Sequence, residues 1–175
     1  EWEVFTLTRS GVSIDQAKID AYLASIEETY SAETISDTAK VRTTIARVAI
    51  TLGALGKDAS NFEGINLIEM LYNDLESNLD SNAYIWALLA IDSGAYEIPE
   101  GAAWTRDALI NKILTFAASS GGFGLSNNTE VSVDMTGMAL QSLAPYYGSN
   151  TNVQTAVNNS LTYLQNGMTR NAEFG

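Results

Sequence analysis

The sequence contains no cysteine and no histidine. Those two absences exclude zinc thiolate sites, haem ligation by imidazole, thiol nucleophiles and every Ser-His-Asp arrangement. Disulfides are excluded as well, which argues against a small extracellular scaffold stapled by them. Proline is scarce, with only Pro99 and Pro145. Charged residues make up 17% of the chain, and the nine basic ones are scattered. With a net charge of −12 and a pI of about 4.2, the surface repels nucleic acid and anionic membranes, which require clustered Lys and Arg. No apolar run approaches the ~20 residues of a transmembrane helix, so no membrane insertion is expected. No secretory leader pattern is present, so the expectation is an intracellular protein, a mature form or an excised piece.

What is present is helical periodicity. The chain has 175 residues, 46% of them apolar, enough for one domain with a sizeable core over 1–175. Val41, Ile45, Val48, Leu52 and Leu55 are spaced 4-3-4-3. Ile19, Tyr22, Leu23, Ile26 and Tyr30 repeat that stripe after an expected capping box of Ser13 and Gln16. Further stripes are Ile65, Ile68, Leu71, Tyr72, then Leu109, Ile113, Phe116, then Val153, Val157, Leu161, Leu164. The pattern predicts eight helices, at about 2–10, 14–30, 37–55, 62–73, 82–93, 104–118, 132–147 and 151–167. No window shows strand alternation. Gly and Asn clusters separate the helices, which makes neighbours antiparallel hairpins.

The hairpins resemble one another. Leu7-Thr8-Arg9-Ser10-Gly11 parallels Leu52-Gly53-Ala54-Leu55-Gly56, and Ala87 to Ile91 parallels Ala139 to Leu143. Anchors at Leu7, Leu52, Ile91 and Leu143 fit a degenerate helix-pair repeat of ~40–50 residues. Small residues at Ala87, Ala90, Ala139 and Ser142 suggest that the odd-numbered helices form an inner layer.

One segment carries a family resemblance. It is Ser119-Ser120-Gly121-Gly122-Phe123-Gly124-Leu125, followed by Val133-Asp134-Met135-Thr136-Gly137-Met138-Ala139-Leu140. It resembles the repeat of protein prenyltransferase β subunits and squalene or terpene cyclases, in which a Gly-Gly-Phe-Gly turn precedes an inner helix opening with Asp and Thr. Asn171 to Gly175 looks like the start of another such turn. Trp2 to Leu7 with Arg9-Ser10-Gly11 looks like the opening helix of bacterial surface domains of this type. The resemblance implies an all-α fold, an α/α toroid-like array of about four antiparallel hairpins. A closed ring has six, so the expectation is an incomplete ring, or a fragment of a longer chain, with an exposed apolar flank that packs on missing hairpins or another chain.

The enzymes of that family are a poor match. The cyclase acid motif Asp-x-Asp-Asp aligns with Ser132-Val133-Asp134-Met135, leaving Asp134 alone as a weak catalytic candidate. A lone carboxylate at a helix start reads first as a cap. The prenyltransferase zinc needs Cys and His, so neither metal nor cofactor is expected. Cobalamin carriers use a similar toroid for binding only, and no cobalamin-specific residue can be assigned here. Glycoside hydrolysis needs a carboxylate pair, for which Glu3, Asp37 and Asp134 stand near inner-helix starts. Asp58, Asn61 and Glu63 resemble calcium ligands without EF-hand spacing, and a loop cap is the simpler reading. Asn127-Asn128-Thr129 and Asn158-Asn159-Ser160 match glycosylation sequons.

If the odd helices run parallel, their first turns gather Trp2, Lys40, Arg42, Asn82, Tyr84 and Asp134 at one end as binding candidates. The mixture suits an unknown small molecule, a glycan or a protein partner. The alternative is that Trp2, Tyr84 and Trp86 are packing residues, and Trp104 packs at the start of an outer helix. The sequence thus predicts a non-catalytic ligand-binding or scaffold domain. The alternative is a diverged cyclase-like or carbohydrate-active enzyme. The acidic, Asn/Ser/Thr-rich composition points to a secreted or surface protein of a Gram-positive bacterium, with a cytoplasmic protein as the alternative.

Overall fold

The computed structural model describes residues 1–30, 39–127 and 130–170; at 39–41 and 168–170 it describes the backbone only. The fold is all-α. Among the described residues there are eight α-helices: α1 (Trp2–Arg9), α2 (Gln16–Tyr30), α3 (Ala39–Ala54), α4 (Leu67–Asn73), α5 (Ser81–Ser93), α6 (Arg106–Leu114), α7 (Val133–Leu143) and α8 (Thr151–Arg170). A two-residue hairpin, β1 (Phe123–Gly124) with β2 (Val131–Ser132), interrupts them. The chain divides into two compact units. The first is Glu1–Ser77 with Leu89–Thr105; the second is Asn78–Leu88 with Arg106–Gly175.

In the first unit α3 packs on both α1 and α4. Ile45, Val48 and Leu52 of α3 and Ile68 and Leu71 of α4 are buried, as their spacing predicts. Val41 lies outside the described side chains. The expected capping box at Ser13 is replaced by Asp15, whose carboxylate accepts from the Ala17 N–H at 3.0 Å. The reason is position: α2 starts at Gln16, so Asp15 is the residue beside the first free amides.

Helix α4 starts at Leu67, five residues after the expected start at 62. Phe62 and Ile65 exchange both backbone hydrogen bonds, 2.9 and 2.8 Å, around Glu63 and Gly64. Both central residues have positive φ, 48° and 80°, the geometry of a tight reversal that a helix cannot accommodate. Asn66 then caps α4, accepting from the Glu69 N–H at 2.9 Å.

Helices α1 and α3 end alike. Gly11 and Gly56 both sit at φ 72°, the left-handed conformation that closes a helix. At Gly56 the Lys57 N–H reaches back to the Leu52 carbonyl at 2.9 Å. Helix α5 closes the same way, with Tyr96 N–H on the Ile91 carbonyl at 3.0 Å, but the left-handed residue is Ala95 at φ 51°.

In the second unit α8 packs on α6 and α7. The short hairpin is a departure from the purely helical expectation. It arises because Phe123 and Gly124 pair with Ser132 and Val131 where the chain turns into α7. The α8 stripe also differs: Leu161 is 54% exposed, and Ser160 is buried instead. A small polar residue is required there, for the reason given below.

Candidate functional site

The Gly-Gly-Phe-Gly turn is held by hydrogen bonds from several helices. Three buried hydroxyls from three helices hold its backbone. Ser81 of α5 donates to the Gly124 carbonyl at 2.8 Å. Ser160 of α8 donates to the Gly121 carbonyl at 2.7 Å. The Phe123 N–H donates to the Thr136 hydroxyl of α7 at 2.9 Å. Thr136 in turn donates to the Ser132 carbonyl at 2.6 Å. A buried loop backbone must find partners, and these side chains supply them beside the two-residue ladder.

The glycines are needed for approach. A Cβ on Gly121 would stand 2.5 Å from the Asn159 carbonyl oxygen, and φ there is 93°. A Cβ on Gly122 would meet the Tyr163 ring at 2.9 Å. Phe123 is wholly buried. The turn therefore docks against α8, and a side chain larger than serine at 160 would hold the two backbones apart.

Asp134 does not cap α7, contrary to the reading from sequence. Ser132 is the N-cap, its hydroxyl accepting from the Met135 N–H at 3.0 Å. Asp134 lies in the first turn with its side chain exposed, where the helix dipole favours it but no hydrogen bond is needed.

The other binding candidates fall in both units. In the first, Trp2 is 42% exposed and meets Phe5 edge to face at 5.7 Å. Arg42, on the helix that α1 packs against, stands 4.0 Å from the Asp74 carboxylate; one guanidinium nitrogen is buried without a hydrogen bond. The Lys40 side chain lies outside the described residues. In the second, Tyr84 is wholly buried, so it cannot serve as a ligand platform. Its hydroxyl accepts from the Leu79 N–H at 3.1 Å, and its ring stacks on Phe116 at 6.0 Å. The Lys112 ammonium lies 5.3 Å from the Tyr84 ring. Asn82, two residues earlier on α5, is half-buried with its side-chain oxygen unpaired.

Of the carboxylate candidates, Glu3 is exposed and Asp37 lies outside the described residues. Among the described residues no three carboxylates gather into a set able to hold a metal ion. Asp58 is a loop cap. Its carboxylate accepts from the Ser60 hydroxyl at 2.7 Å and the Ser60 N–H at 2.8 Å. Those bonds, the hydroxyl first, hold its carboxyl below the usual range. Trp104 is an anchor, as expected, although it lies in the loop before α6. Its indole N–H donates to the Leu75 carbonyl at 2.7 Å.

Of the two sequons, 127–129 lies partly outside the described residues. Asn158-Asn159-Ser160 lies within α8, and its Ser160 hydroxyl is the one bonded to Gly121.

The three buried hydroxyls were missed in the sequence. A signal existed: Ser160 falls seven residues after Val153 and three after Val157, in the phase of the buried stripe. No family model matches this chain, and neither a curated protein nor a solved structure matches it.

Proposed function

We propose that this chain is a non-catalytic binding or scaffold domain of a secreted or cell-surface bacterial protein, with the hairpin framework of the prenyltransferase and cyclase repeat. The observation that carries this reading is the setting of Asp134. It is the one carboxylate at the position of a cyclase acid, and it is exposed at the start of α7. A general acid for carbon protonation needs a dry, buttressed carboxyl. Its neighbours Ser132 and Thr136 cap the helix and brace the turn instead.

Surface contact is the activity that fits. Helix α1 buries none of its residues, and Trp2 and Leu7 are 42% and 37% exposed. That apolar edge suits a partner or neighbouring domain.

The test is turnover. The chain is incubated with polyprenyl diphosphates, squalene and oligosaccharides, and products are sought by mass spectrometry. No product is expected, and Asp134→Asn is expected to match the wild type. A product that disappears in Asp134→Asn with stability unchanged would overturn the reading.

A further inference from the structure

From Met135 through Thr169 the chain carries no charged residue, although 21 acidic and nine basic residues occupy the rest. This stretch forms most of α7, a 3-10 turn (Ala144–Tyr146) and nearly all of α8. The outer face of α8 is therefore neutral in a chain of net charge −12. Gln154, Thr155, Asn158, Leu161 and Thr162 are exposed along it, at helical spacing. Tyr147 stands beside them, 39% exposed, and its hydroxyl donates to the Asn158 side-chain oxygen at 3.1 Å.

We infer that this face binds a neutral oligosaccharide. The inference rests on the non-catalytic binding reading and assigns it a site. The Asn158 bond holds the Tyr147 ring in one place, which lowers the entropy lost when a ligand stacks on it. Asn158 keeps both amide N–H donors, and Gln154 brings donors and acceptors together on one side chain. Thr155 and Thr162 donate to the Thr151 and Asn158 carbonyls at 2.9 and 3.0 Å. Each hydroxyl oxygen keeps its lone pairs as acceptors. A sugar without charge matches such a set: hydroxyls pair with amides, and a ring face packs on tyrosine. Anionic polymers gain nothing from a face without cations. A protein interface core would carry more aromatic and arginine anchors than this one does.

The test uses the whole chain with gluco-, manno-, galacto- and xylo-oligosaccharides and uronic-acid counterparts, titrated by calorimetry. At least one neutral series should bind saturably, with little dependence on salt. Tyr147→Ala should weaken it by about tenfold, the effect of removing one aromatic contact. Thr162→Glu, on the exposed face, should also weaken it and keeps the test open if Tyr147→Ala does not fold. Absence of binding by any neutral series, or binding unchanged in both variants, would overturn the site. So would a chain that self-associates through this face and is made monomeric by Thr162→Glu without any sugar bound. Binding that depends on Tyr147 with the sugar cleaved would support the site and overturn the non-catalytic reading instead.

Discussion

The Ser160 hydroxyl donates to the Gly121 carbonyl at 2.7 Å, at the point where the Asn159 carbonyl would stand 2.5 Å from any Cβ on Gly121. Contact and hydrogen bond are coupled: the glycine permits the approach, and the serine satisfies the carbonyl that the approach buries. Gly121→Ala adds both a clash and left-handed strain, so it should cost roughly 2–4 kcal/mol. Ser160→Ala leaves a buried carbonyl unpaired and should cost about 1–3 kcal/mol. Urea denaturation of the two variants and of the double variant checks this. Costs that simply add would mean that the two residues act independently.

The start of α7 gives a second prediction. Ser132 is the cap, so Ser132→Ala should lose about 1 kcal/mol. Asp134→Asn should change stability by about 0.5 kcal/mol or less, because only the dipole term is altered. A reversed order would restore Asp134 as the cap.

Ala95 closes α5 in the left-handed conformation that Gly56 adopts after α3. Left-handed strain on a residue with a Cβ is about 1–2 kcal/mol, and glycine loosens the unfolded chain by about 0.4–1 kcal/mol. The strain is the larger, so Ala95→Gly should stabilise the fold by roughly 0.5–1 kcal/mol. A raised denaturation midpoint is the expected reading, and a lowered one would contradict it.

Alkaline pH should weaken the fold through its tyrosines. Burial holds the Tyr22 phenol neutral and pushes its ionisation from 10.0 up to about 12, with the Thr51 hydroxyl pulling the other way. Burial also raises Tyr30 and Tyr72. Between the unfolded and folded values the folded chain binds more protons. Stability is thus fully present below pH 10.0 and falls as pH rises towards about 12. Denaturation midpoints measured across that window should drop, and Tyr22→Phe should flatten the drop.

The helices were legible in the sequence because burial on one face writes a period that survives in Ile45, Val48, Leu52 and in Leu109, Ile113. Their caps were less so. Ser13 and Asp134 carry the right chemistry, but Asp15 and Ser132, each two residues away, stand at the right backbone position. The tight turn at Glu63 and Gly64 lies just before the apolar stripe that opens at Ile65, inside the span expected as helix. The site was least legible. Tyr84 looks like a ligand group in sequence, yet it is buried and its hydroxyl satisfies the Leu79 amide; Thr136, equally buried, accepts from the Phe123 amide. Polar residues with long-range backbone partners leave no local pattern to read.

The residues opening α7 and the turn before it form one hydrogen-bonded framework. Hydrogen exchange at the Phe123 amide, the donor to Thr136, tests it most directly. This amide should exchange only with global unfolding, at the rate of the most protected core amides, and Thr136→Val should remove that protection. Exchange at the rate of an open loop in the wild type would contradict it.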